Sequence, residues 1–433
     1  MKHYRTYVLR LFLSAAILLF LVQPAGAGAE PATLTLSDSI ALAVEYNPAL
    51  KITQQAKEKA AWGLSQAKAH QGFTVGYSYT GVRTVQPPYA FTLKPIQPYD
   101  YFSHQVKLQL PLYTGGKVES SIDMAKHGLE ISELAVSAAK QQLIQGVTAA
   151  YLNALQGRNL AETAQQSVKT LTAHLQNVRN HYEAGTVSLS DVLQTEVRLA
   201  NARNNLIKAH NGYKLARYKL NKEIGLPLQN DAVLKDDISY RPYLSTLDES
   251  ISTALANRPE IAQTRLKIAA AQDKVKIANA ENLPTVGLVA MNTWDDKKSP
   301  GTENSKWLVG MSLQMNVFDN GLTRAQLKQA RSDAAIAREQ AQQTADIIAL
   351  EVSQAYLGVI EASERIANNQ VAVHQSETDY RLALERYENG IGTNLDVMDA
   401  ELAMTRARVN HIQAMYDYSN SRAQLDKAMG IIQ

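Results

Sequence analysis

The sequence predicts an α+β membrane protein made of two tandem repeats, each carrying long coiled-coil α-helices and a transmembrane β-hairpin. Three observations carry that prediction. The stretch HYEAGTVSLSDVL, His181 to Leu193, returns as RYENGIGTNLDVM, Arg386 to Met398. Two runs of about 65 residues read as single helices, each about 100 Å long at 1.5 Å per residue. Four segments of about 10 residues alternate apolar and polar side chains, as membrane-spanning strands do.

The chain of 433 residues is long enough for two or three ordinary domains or one elongated one. Its N-terminus indicates the compartment. Lys2, Arg5 and Arg10 precede the apolar stretch LFLSAAILLFLV, Leu11 to Val22, and the small-residue site Ala27-Gly28-Ala29 follows. This is the grammar of a cleaved signal peptide, residues 1–29. The competing reading, an uncleaved anchor, needs about 20 apolar residues and the stretch is shorter than that.

The formal net charge of +3 equals the three basic residues of that leader, since residues 1–29 contain no acid. The mature chain is therefore near neutral, and bulk charge offers nothing to a nucleic acid. There are no cysteines, hence no disulfides and no lipid-modified N-terminal cysteine. No later segment reaches transmembrane-helix length, so membrane insertion must use strands.

The duplication extends beyond the quoted turn. Tyr182, Gly185, Asp191 and Val192 return as Tyr387, Gly390, Asp396 and Val397, an offset of 387 − 182 = 205. PLYTGG (Pro111 to Gly116) aligns with NVFDNG (Asn316 to Gly321) at the same offset, and SIALAVEYNPAL (Ser39 to Leu50) resembles SISTALANRPEI (Ser250 to Ile261) at 250 − 39 = 211. Three matches in one order indicate a duplicated unit. The six-residue difference must lie in the loop-rich stretch between them.

The first repeat, residues 30–225, is expected to open with a helical segment from Ser37 to about His70. Strands near 73–84 and 102–112 follow, then the long helix from Lys117 to about Tyr182, the turn, and a last helix from about Ser190 to Ile224. A linker, 226–246, contains Pro227 and Pro242 and reads as irregular. The second repeat, 247–433, follows the same plan: a helical segment to about Asn282, strands near 285–294 and 307–318, a long helix from Leu322 to about Tyr387, and a helix from about Asn394 to Met429.

Within the first long run, Ile122, Leu129, Val136, Leu143, Ala150, Gly157, Ala164, Leu171 and Val178 recur every seven residues, the spacing of a left-handed supercoil. One long soluble coiled coil would satisfy that pattern. The strands argue against it. Trp307, Val309, Met311, Leu313, Met315 and Val317 alternate with Leu308, Gly310, Ser312, Gln314 and Asn316, and Val106, Leu108, Leu110 and Leu112 alternate with Lys107, Gln109 and Pro111. Aromatics such as Tyr77, Tyr79, Tyr101, Tyr113, Trp294 and Trp307 cluster around them, as at membrane interfaces. Four strands cannot close a barrel, and lipid tolerates no open edge, so the chain must oligomerise. Two copies would supply 8 strands and three would supply 12.

The doubled order of helix, hairpin, long helix, Tyr-x-x-Gly…Asp-Val turn and helix resembles the outer-membrane efflux proteins over nearly the whole mature chain. The motifs carrying the resemblance are Asn47-Pro48 with Arg258-Pro259, PLYTGG with NVFDNG, and the two turns. The resemblance implies a homotrimer with a 12-stranded β-barrel in outer-membrane lipid and an α-helical barrel in the periplasm. It implies an exit duct for efflux or type I secretion, docked on a periplasmic adaptor (membrane fusion) protein and an inner-membrane transporter. The runner-up is a periplasmic coiled-coil adaptor or scaffold.

The candidate site is the pair of turns. Gly185 and Gly390 permit the reversal between long helices and mark the hairpin tips where an adaptor would dock. The resemblance places Asp396 and Asp399 at the periplasmic aperture, where a threefold ring of carboxylates would favour cations. Ser188-x-x-Asp191 and Thr393-x-x-Asp396 also read as capping boxes, which leaves these acids a purely structural role as the alternative. Tyr387 and Asp191 match positions that, by the same resemblance, link neighbouring hairpins in the closed state. Helix-end packing is the other reading of Tyr182 and Tyr387. Two positions after the turn glycine the family carries a basic residue, and here that position is Gly392. No nucleophile constellation, phosphate-binding loop or His-x-x-x-His pair occurs, so no enzyme activity, cofactor or metal is expected.

Overall fold

A computed structural model of the chain describes residues 33–84, 99–236 and 240–432. The expected signal peptide and the loop VQPPYAFTLKPIQP (residues 85–98) lie outside the described residues. The first repeat runs β1 (Thr33–Leu34), α1 (Leu36–Tyr46), α2 (Pro48–Ala69), β2 (Thr74–Thr84), β3 (Tyr99–Tyr113), α3 (Lys117–Glu183) and α4 (Leu189–Ile224). After β4 (Val233–Leu234) in the linker, the second runs α5 (Leu247–Asn257), α6 (Pro259–Ala280), β5 (Thr285–Asp296), β6 (Asn304–Gln314), α7 (Leu322–Glu388) and α8 (Asn394–Ala428). The starts and ends of α3 and α7 are both 205 apart (322 − 117 and 388 − 183), whereas those of α2 and α6 are 211 apart (259 − 48 and 280 − 69). The difference falls in the loop between the two strands of each hairpin.

Each repeat opens with two helices where one was expected. Pro48 and Pro259 stand at the first position of α2 and α6, and the residues before them, Asn47 and Arg258, are extended at ψ 123° and 125°. Proline lacks the N–H that a continuous helix needs, and it forces its predecessor out of helical backbone. The Asn47 side chain then caps the new helix, accepting from the Ala49 amide at 2.9 Å. The last strand also differs from the expected 307–318. Its pairing ends at Thr285 opposite Gln314. Pro284 precedes Thr285, so β5 offers Met315 and its successors no partner. The linker contributes β4, which pairs in parallel with β1, and the Tyr151 hydroxyl lies between the Leu34 and Lys235 carbonyls, within hydrogen-bond distance of both, at 2.9 and 2.6 Å.

The four long strands form one antiparallel sheet in the order β2-β3-β5-β6. The register Tyr77↔Val106↔Asn292↔Trp307 fixes which residues share a face. One face presents exposed Val75, Tyr77, Trp307, Val309, Met311 and Leu313. The other carries Gln105, Lys107, Gln109 and Ser312. Among the described residues β2 and β6 each pair on one side only, so both edges of the sheet are open. No helix among the described residues is long and apolar enough to cross a membrane.

Below the sheet, α3 lies against α2, α4, α6 and α8, and α7 packs on α6 and α8. Of the seven-residue series in α3, only Leu171 and Val178 are fully buried, and the others are half-buried. The mid-helix core instead steps through Ile144, Val147, Tyr151 and Leu155, because α1, α4 and the β1/β4 pair cover that face. Three clusters follow: one around Tyr151, one around Val352 and Val359, and one at the far end of the long helices. That last cluster joins both helical hairpins through Leu171, Val178, Val192, Tyr387 and Val397. Each such side chain contributes about 1.5–3 kcal/mol on burial.

Candidate functional site: the paired hairpin turns

Both long helices end in the same backbone motif. After α3 the Gly185 amide donates to the Tyr182 carbonyl at 2.9 Å and the Thr186 amide to His181. After α7 the Gly390 amide donates to Tyr387 at 3.0 Å and the Ile391 amide to Arg386. Gly185 and Gly390 both stand at φ 73°, the left-handed region where a side chain costs energy. A Cβ at either would meet nothing, so conformation alone requires glycine there.

The next helices start on matching capping boxes. Ser188 Oγ accepts from the Asp191 amide, and the Asp191 carboxylate accepts from the Ser188 amide at 3.0 Å and hydroxyl at 2.7 Å. Thr393 and Asp396 repeat this at 3.0 and 2.7 Å. The Thr393 hydroxyl and amide hold the Asp396 carboxyl below the usual carboxylate range, with a smaller contribution from Arg386. Asp191 and Asp396 thus act as helix caps through one oxygen, Oδ2.

Asp399, one turn further along α8, is paired. Arg198 on α4 reaches its Oδ1 at 3.1 Å, which ties the second hairpin to the first. Asp396 and Asp399 share a groove of about 340 Å³ with Asp379, Ala383, Arg386, Gly392 and Ala400. Gly392 itself is hemmed in: a Cβ there would stand 3.0 Å from both Arg386 Cβ and the Tyr387 amide. A basic side chain at this position would press on the end of α7, and Arg198 supplies the inter-hairpin cation instead.

Tyr387 is 4% exposed, whereas Tyr182 at the equivalent place is 43% exposed. The Tyr387 ring stands edge-on to His174 and His181, with centroids 5.3 and 5.5 Å away. Its buried hydroxyl has no hydrogen-bond partner among the described residues. Burial raises the phenol's pKa, and the Asp191 charge adds to this. Tyr387 and Asp191 therefore lie within electrostatic reach of each other, and no hydrogen bond joins them inside one chain.

Beside Tyr387 runs a polar chain that crosses three helices. His174 Nε2 on α3 meets Asn394 Oδ1 on α8 at 2.8 Å, and Asn394 Nδ2 donates to the Asp191 carbonyl on α4 at 3.1 Å. Deeper in, Ser167 and Thr405 donate to the buried Glu401 carboxylate at 2.6 and 2.9 Å. Arg198, His174, Asn394 and Glu401 are the residues that sequence reasoning missed. The available signal was polarity at core spacing, since His174 stands three residues after Leu171 in the seam. Among the described residues no cluster of His, Cys, Asp or Glu could hold a metal.

The sequence matches the family described as outer membrane efflux protein over residues 40–226 and 250–431, one match per repeat. The chain belongs to that family. The alkaline protease secretion protein AprF of Pseudomonas aeruginosa is 25% identical over 410 residues, which cover 92% of this chain and 85% of AprF. The fold of the Campylobacter jejuni CmeC outer membrane channel superposes with a TM-score of 0.81 at 18% identity, covering 91% of this chain and 85% of that one. The outer membrane protein VceC of Vibrio cholerae gives 0.79 at 21% identity, covering 91% and 96%. As an outer membrane efflux protein the chain is an exit duct of the outer membrane. The scaffold alternative is thereby set aside.

Proposed function

We propose that three copies of this chain assemble into one conduit, closed at its periplasmic end by the paired turns and fed by a periplasmic adaptor and an inner-membrane transporter. The open four-stranded sheet is the observation that carries this reading. Its apolar face suits lipid, its edges β2 and β6 need partners, and three sheets supply 12 strands. The helical part supports it: α4 exposes Leu193, Val197 and Ile207, and α7 exposes Leu350, Leu357 and Val371. Apolar surfaces on those two outer helices suit neighbouring copies.

In this assembly the tips around Gly185 and Gly390 receive the adaptor. Asp396 and Asp399 line the aperture, and the Arg198–Asp399 pair, with Tyr387 packed behind it, holds each protomer's hairpins together. Asp191 acts on Tyr387 through its charge. Export of a polypeptide, named for AprF, and passage of small molecules both suit a wide lumen; the partners confer specificity.

The test is conductance of the purified protein in planar bilayers. Small cation-preferring steps are expected, larger in Arg198→Ala and less selective in Asp396→Ala/Asp399→Ala. Absence of steps from the wild type and from Arg198→Ala would overturn the reading.

A further inference from the structure

The polar chain at the tip has a direction that its chemistry fixes. The Asp191 backbone carbonyl can only accept, so the Asn394 atom facing it at 3.1 Å is the amide nitrogen. Asn394 Oδ1 then faces His174, and Nε2 of the imidazole must carry the proton that bridges the 2.8 Å gap. Thr195 completes the arrangement, donating to the Asp191 carbonyl at 2.7 Å and accepting from Asn394 Nδ2 at 3.1 Å. Among the described residues every polar atom of this set is satisfied but one: His174 Nδ1 is buried without a partner. This is the neutral tautomer, held in a site where the side chain is 4% exposed.

We propose that His174 is a positioning residue of the gate, latching the second hairpin to the first through Asn394 while it is neutral and releasing it when Nδ1 takes a proton. The proposal rests on the closed-duct reading above. A second proton would place a charged N–H in a buried pocket where Nδ1 has no hydrogen-bond partner among the described residues, a cost that separation of the hairpins relieves by admitting water. The His174 ring meets Tyr387 on α7 and feels the charges of Glu388 on α7 and Glu401 on α8. Tyr387 in turn meets His181 on α3 and the charge of Asp191 on α4, and Tyr380 on α7 feels the same two glutamates. Burial holds the His174 pKa below its usual 6.5 and outweighs the Asn394 hydrogen bond and the pull of Glu388 and Glu401.

The sign follows. A closed-state pKa below that of the solvated ring means the latch is fully engaged above about pH 6.5 and weakens as pH falls below it. Between the closed-state and solvated values the open-to-closed ratio changes by up to about tenfold per pH unit. Carboxylates as a class titrate near pH 4, so a window from about pH 7.5 to 5.5 reads histidines. His181, which touches Tyr387 and the Thr186 hydroxyl, is the control for that window.

The chain has no cysteine, which makes paired labelling clean. Spin labels at Ala184→Cys and Ile391→Cys, one on each exposed turn, report the distance between hairpins in the full-length protein, with labelled chains diluted by unlabelled ones. The expected result is a distance that lengthens between pH 7.5 and 5.5, persists in His181→Gln and vanishes in His174→Gln, whose amide keeps a donor without titrating. A distance that does not change with pH, or a change that survives His174→Gln, would overturn the proposal. Should His174→Gln not fold, nitrogen NMR of the wild-type imidazole decides: Nδ1 protonated and Nε2 bare at pH 7.5 would refute the latch, and the reverse would support it. The distance reading does not depend on conduction. Steps with a fixed distance would therefore fault the latch and keep the duct. Silence of both the wild type and Arg198→Ala would fault the duct and leave a pH-dependent distance as hairpin separation without a gate.

Discussion

The two hairpin turns share a backbone and diverge in what they bury. Gly185 and Gly390 have the same φ, Ser188 and Thr393 cap in the same way, and α3 and α7 have the same length. Yet Leu189, first in α4, is 53% exposed, whereas Asn394, its counterpart in α8, is 4% exposed. His174 answers to Asp379, Arg198 to Ala403 and Asp399 to Gln194, each at offset 205, so neither the polar chain nor the Arg198–Asp399 pair has a copy in the other repeat. Duplication preserved what builds a reversal and left free what joins one reversal to the other. The turns are equivalent as structure and inequivalent as a mechanism.

The largest test of that inequivalence is the tyrosine pair. Tyr387→Ala removes a buried ring and should cost the tip cluster about 3–5 kcal/mol, while Tyr182→Ala should stay within about 0.5 kcal/mol of wild type. Hydrogen exchange of the amides around residues 383–400 measures the local cost; equal effects at the two sites would erase the distinction. The glycines test the opposite limb. Gly185→Ala and Gly390→Ala should each cost roughly 1–2 kcal/mol, and equally, because both have left-handed backbone and open surroundings.

The caps come next in size. Ser188→Ala and Thr393→Ala should each lose about 1 kcal/mol of local protection, again matched. The cap at Asp396 has a pH signature of its own. Its carboxyl titrates below the usual 3.8, so the stabilisation is present above that value and is lost as pH falls through the lower one. Protection at the second turn that already fell near pH 6 in a His174→Gln background would contradict this assignment. Smallest is Arg198→Ala, which removes a partly exposed ion pair worth about 0.2–1 kcal/mol. Added salt should reproduce its effect in the wild type, and gate opening in Arg198→Ala that is insensitive to salt would assign Arg198 a packing role.

Local pattern made much of this legible. The turns and the capping boxes are short-range features, built by residues within a few positions of one another, and the repeat shows as the same short features written twice. The paired proline breaks were visible as Asn47-Pro48 and Arg258-Pro259, but the helical spacing on either side ran through them. Alternation continues to Val317 and so carries the expected last strand beyond its end at Gln314, because only the start of β5 after Pro284 ends the pairing. What joins the hairpins had no local signature. Arg198 and Asp399 are 399 − 198 = 201 residues apart, and His174 and Asn394 are 394 − 174 = 220 apart. Such contacts appear only once α3, α4 and α8 are laid side by side. The buried Tyr387 was readable as a helix-end tyrosine, and its burial, unlike that of Tyr182, depends on which hairpin covers it.

Everything at the tip presupposes that the open sheet is completed by other copies of the chain. The most direct measurement is native mass spectrometry of the full-length protein extracted from outer membranes in mild detergent. Particles of three chains are expected, losing no subunit until the detergent conditions also unfold the strands. A population of single chains, stable and folded with both sheet edges unpaired, would contradict the channel itself.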